Sequence, residues 1–122
     1  MSAELKLVLI NLLEEEFGHG MDKVTFDYVL QKKIKSLGCE LQRCFTVRLK
    51  GDRRGFIDLL VISPDGQRCA VEVDNRSPRQ RSLMKIRALP EGISGFVFLR
   101  DGKHPQRYIA DGVDVIRATR FK

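Results

Sequence analysis

The sequence predicts an α/β fold, a mixed β-sheet with flanking helices in the order ααβββαβ. Three observations carry that expectation. Residues Gly55 to Ile62 and Cys69 to Asp74 are strand-length runs of aliphatic and β-branched residues separated by a turn. Apolar residues recur at helical spacing ahead of them. A helix-opening signal after Asp74, followed by the apolar run Gly95-Phe96-Val97-Phe98-Leu99, implies a parallel crossover beside the antiparallel hairpin.

Leu5, Val8, Leu9, Leu12, Leu13 and Phe17 predict an amphipathic helix over 3–17 that stops at Gly18. Glu14, Glu15 and Glu16 fall in its last turn, the unfavourable end of the helix dipole. They read as a solvated polar face or, alternatively, as a cluster with an electrostatic partner. A second helix is expected over 25–37, with Val29, Leu30, Ile34 and Leu37 inward and Gly38 as its stop. Residues 44–50 read as a first strand, and 51–55 as a basic turn into the hairpin. In the hairpin turn Pro64 presets φ, and Gly66 supplies the positive φ that closes it. After Asp74, Ser77 reads as an N-cap and Pro78 as the first helical residue of a helix reaching Leu89, closed by Pro90-Glu91-Gly92. Val113 to Ile116 reads as a last strand at the sheet edge.

The 122 residues fit one domain, 1–122, with a single core. No run approaches membrane-spanning length, and Leu7 to Leu13 is too short for a secretion signal, so a cytoplasmic protein is expected, with no membrane partner. Cys39, Cys44 and Cys69 show no close pairing and lie far from His19 and His104, so they are expected to be free, mostly buried thiols rather than zinc ligands. The net charge is +6. Basic residues crowd around the hairpin, Arg43, Arg48, Lys50, Arg53, Arg54, Arg76, Arg79, Arg81, Lys85 and Arg87 among them, a field that attracts a polyanion. The plainer reading is a solvated basic surface.

Acidic residues interrupt the two central runs. If Pro64, Asp65 and Gly66 form the loop, Ser63 pairs with Gln67 and Asp58 stands opposite Glu72. Alternation then puts Asp74 on that face as well, with Ile57, Leu59, Val61, Val71 and Val73 on the other. Three carboxylates on one poorly solvated surface repel one another unless a cation or a proton intervenes. Hard oxygen donors suit magnesium, manganese or calcium. The alternative is that nearby arginines pair with them.

A strand glycine followed by Asp58, a hairpin, Val71-Glu72-Val73-Asp74 and a helix resemble the PD-(D/E)XK nuclease superfamily over roughly residues 25–100. The resemblance implies a restriction-endonuclease-like core and a metal-dependent DNA endonuclease or related phosphodiesterase. It implies Asp58 and Glu72 as ligands of Mg²⁺ or Mn²⁺, the Val73 carbonyl as a further ligand, and Asp27, on the preceding helix, acting through water. Where the family pattern has lysine, this chain has Asp74. Some similar restriction enzymes hold a second carboxylate there, and some relatives take the lysine from the next helix. Lys85 is the candidate substitute, with Arg76, Arg79 and Gln80 as others, and Asp74 would orient or deprotonate the attacking water. Arg53, Arg54, Arg76, Arg79 and Arg81 are expected to contact DNA, and a homodimer is one way for so small a nuclease to cut both strands. Two other readings remain: a DNA-binding module on the nuclease fold that has lost cleavage, and a protein-interaction subunit whose basic face meets an acidic partner.

Overall fold

The computed structural model describes residues 4–16, 22–102 and 107–118. Its elements are α1 (Leu5–Glu16), α2 (Lys23–Lys35), β1 (Glu40–Gln42), β2 (Phe45–Arg48), β3 (Arg54–Ile57), β4 (Leu59–Ile62), β5 (Arg68–Asp74), α3 (Gln80–Arg87), β6 (Ile93–Leu99), β7 (Arg107–Ala110) and β8 (Val113–Arg117). Six strands form a mixed sheet in the order β1-β4-β5-β6-β8-β7, and β2 and β3 form a separate ribbon. The helix-linked strands β5 and β6 are parallel, as the crossover requires, and β6 is parallel to β8. No helix among the described residues is long and apolar enough to cross a membrane.

The sheet is covered on both faces. Leu9, Ile10 and Leu13 of α1 and Phe26, Leu30 and Ile34 of α2 pack on Leu59, Val61, Val71, Phe96 and Phe98. The Phe26 and Phe98 rings meet at 5.3 Å between centroids, and truncating either to alanine would cost about 3–5 kcal/mol. On the opposite face Leu83 and Ile86 of α3, with Val47 and Ile57 of the ribbon, cover Leu60, Ala70, Val97, Leu99 and Val115. Coverage on both faces explains why β5 and β6 read as near-continuous apolar runs.

The hairpin register is as expected. Ser63 N–H donates to Gln67 O at 2.9 Å, Gly66 N–H to Ser63 O at 3.0 Å, and Leu59 pairs with Val71. Gly66 has φ +87°. Elsewhere the structure corrects the reading. The first strand of the main sheet is β1, paired with β4, whereas the expected 44–50 strand supplies β2 of the ribbon. The run 55–62 is not one strand. Its first part leaves the sheet at Asp58 to pair with β2, so Ile57 joins the α3-side core rather than the face of Leu59 and Val61.

α2 starts earlier than expected because Asp22 caps it, accepting the Thr25 N–H at 2.7 Å. α3 starts later: its N-cap is Arg79, not Ser77. Asp74 holds the Arg79 backbone N–H, and Arg79 stays extended at φ −69°, ψ 147°. β8 is not the edge strand, since β7 lies outside it. Cys39, Cys44 and Cys69 are free, but Cys44 is exposed. Phe17, Gly18, His19 and His104 lie outside the described residues.

Candidate active site

The break at Asp58 organises the site. Where β3 parts from β4, the Asp58 N–H and Val73 N–H lose strand partners, and a carboxylate takes each. Asp58 N–H donates to Glu72 Oε2 at 2.7 Å, and Val73 N–H donates to Asp58 Oδ2 at 2.9 Å. A strand residue turns its N–H and C=O toward the same edge, so the Val73 carbonyl also faces Asp58.

Glu72 is fully buried. Its other oxygen, Oε1, is ion-paired with Lys85 Nζ, which also donates to Phe56 O at 2.8 Å. Lys85 thus reaches the sheet from α3 and is itself buried. Its stem crosses Gly55, where an added Cβ would lie 2.7 Å from Lys85 Cγ and 2.8 Å from Cδ. Only the missing side chain of Gly55 leaves that path open. Burial pushes the Glu72 carboxyl up to about 7, and the Asp58 charge adds to the rise against the lowering pull of Lys85.

Asp74 is also buried, and Arg79 holds both of its oxygens, Nε to Oδ1 at 2.6 Å and the backbone N–H to Oδ2 at 2.9 Å. That hydrogen bond raises the Arg79 guanidinium above its ordinary value. The expected crowding of three carboxylates is therefore resolved by protein cations: lysine serves Glu72 and arginine serves Asp74. Among the described residues no group of three or more His, Cys, Asp or Glu side chains is arranged to hold a metal ion.

A cleft of about 700 Å³ opens beside these groups. Asp27, Asp58, Val73 and Asp74 line it, so α2 does bring Asp27 to the strand acids. Lys23, Arg43, Arg76, Arg79 and Arg100 also line it. Glu72 and Lys85 do not. Of the arginines expected to contact DNA, Arg76 and Arg79 are at the cleft. Arg53 and Arg54 are on the ribbon, and Arg81 Nη2 ties α3 to it through Arg54 O at 3.2 Å. Lys23, Gln31 and Arg100 were not singled out from the sequence. Arg100 follows the C-terminal end of β6, beside the end of β5, where ligands of parallel strands gather. That placement was the available signal.

The donors suit a hard divalent cation. Asp58 accepts through one oxygen and has the other left over, the Val73 carbonyl faces it, and magnesium takes only one or two protein carboxylates. A cation would also offset the poor solvation of Glu72. Comparison of the chain with protein families, with curated proteins and with solved structures gives no match.

Proposed function

We propose that the protein is a metal-dependent nuclease that hydrolyses phosphodiester bonds in DNA, built on a restriction-endonuclease-like core. The observation that carries this reading is the path Lys85, Glu72, Asp58: a buried lysine from the helix after the strand acids meets the glutamate, which meets the aspartate at an arginine-lined cleft. A lysine supplied from α3 answers the absence of lysine at position 74.

Asp58 and the Val73 carbonyl would hold Mg²⁺ or Mn²⁺, with Asp27 acting through water; Glu72, expected as a ligand, is engaged instead by Lys85 and the Asp58 N–H and is not at the cleft. Such an ion lowers the pKa of the attacking water and offsets charge on the phosphate oxygens. Lys85 keeps Glu72 in place and offsets its charge. Arg79, with Arg43 and Arg100, offers guanidinium groups to the phosphate. Asp74, tied to Arg79 through both oxygens, positions that arginine rather than taking a proton. This revises the role expected for Asp74.

The test is incubation with plasmid, single-stranded and branched DNA in Mg²⁺, Mn²⁺ or EDTA. Metal-dependent nicking, lost in EDTA and in Asp58→Ala, is expected. DNA binding without cleavage under any metal would overturn the reading in favour of the binding module. The engagement of Glu72 and Asp74 by protein cations favours that second reading. Affinity that does not fall with salt between about 50 and 200 mM would overturn both, because several phosphate contacts should cost orders of magnitude there.

A further inference from the structure

The outer face of the β2–β3 ribbon has a composition that neither its fold nor the cleft explains. Along β3 exposure alternates strictly, with Arg54 and Phe56 outward and Gly55 and Ile57 inward. Across the ribbon, Thr46 pairs with Phe56 and Arg48 with Arg54, and both Thr46 and Arg48 are exposed. One face therefore carries a phenylalanine that is 57% exposed, next to two arginines standing directly opposite each other. Like charges in that cross-strand position repel. Neither guanidinium makes an ion pair among the described residues. Arg53 at the ribbon turn and Arg81 beside it add charge of the same sign.

We propose that this face is a stacking platform for an unpaired base of a nucleic acid strand, with Phe56 under the base and Arg48 and Arg54 on the flanking phosphates. An exposed aromatic ring among cations matches the two parts of such a strand, the π-face of the base and the anionic backbone. In a duplex the base faces are already covered by stacking, so the ring selects unpaired nucleotides. The proposal rests on the reading of the protein as a DNA-acting one, and it deepens that reading by naming the substrate class. Only Ile57 separates Phe56 from Asp58 at the cleft, at most about 7 Å along the chain. A nucleic acid that reaches both would offer an unpaired base to the ribbon and a phosphodiester to the cleft, as a junction between single- and double-stranded DNA does.

The protein has no tryptophan, so Phe56→Trp installs a single reporter. In EDTA, a single-stranded oligonucleotide should quench its fluorescence, and a blunt duplex of the same length should not. Phe56→Leu, at an exposed position, should melt like the wild type. It should bind the single strand roughly ten-fold more weakly, while its affinity for the blunt duplex stays within about two-fold of the wild type. Unchanged single-strand affinity in Phe56→Leu, or an equal loss on both DNAs, would overturn the platform. A polyglutamate peptide bound as tightly as the single strand, without tryptophan quenching by either, would instead assign the face to an acidic protein. Because EDTA isolates binding, the two readings fail separately. Absent cleavage with intact tryptophan quenching removes only the nuclease, and cleavage without a Phe56 effect removes only the platform.

Discussion

Glu72 and Asp74 stand two residues apart on β5, and each is met by a cation from the segment that follows, but the two pairs differ in their contact with water. The Lys85 side chain is 7% exposed and that of Glu72 is wholly buried. Asp74 is equally buried, but the Arg79 side chain is 62% exposed. In the first pair both ions have left water, so each depends on the other. In the second the cation remains largely hydrated, and a backbone N–H supplies half of the contact. The first pair locks α3 to the sheet, whereas the second sets where α3 begins and holds an arginine at the cleft wall.

The sharpest way to break the comparison is to remove one cation at a time. Lys85→Met should cost about 3–5 kcal/mol at pH 8, since it strands a buried carboxylate. Lys85→Met with Glu72→Gln should recover most of that loss in urea unfolding, and cleavage by Lys85→Met should fall on the order of 10²-fold or more. Equal stabilities of the single and double variants would show that the pair is not coupled.

A smaller effect comes from pH. Glu72 has a folded value of about 7, above its ordinary 4.5. Between those values the folded state binds more protons than the unfolded one, so stability falls as pH rises through the window, by on the order of 3 kcal/mol in EDTA. Glu72→Gln should flatten the slope between pH 5 and 8. Saturating Mg²⁺ should also reduce it if the cation binds beside Glu72.

The smallest stability effect is expected at the wetter pair. Arg79→Ala keeps the backbone N–H to Asp74 and loses a mostly hydrated cation, a change of about 1 kcal/mol or less. Its larger consequence should be weaker DNA binding with a shallower salt slope. A stability loss as great as that of Lys85→Met would erase the distinction between the two pairs.

Turn chemistry and periodicity made much of this legible. Pro64 and Gly66 specify the loop, the loop specifies the register, and the register sets Asp58 opposite Glu72. Lys85 was reachable from its place about two turns into the helix. Local signals failed where distant partners decide. Ile57-Asp58-Leu59 reads as continuous strand, and only the pairing of β3 with β2 breaks it. Ser77-Pro78 carries a cap signal, but Asp74 takes Arg79 and moves the helix start. β1 has no β-branched residue to mark it and exists because β4 offers an edge. Alternation predicted side-chain proximity of Asp58 and Glu72, whereas the break converts it into an exchange of carboxylates for backbone donors.

The passage over Gly55 ties two distant positions into one unit of inheritance. A lysine carried on the strand needs no opening, whereas one carried on α3 must cross the ribbon, and only a residue without a side chain lets it through. Residues 55 and 85 therefore cannot drift independently while the cation serves Glu72.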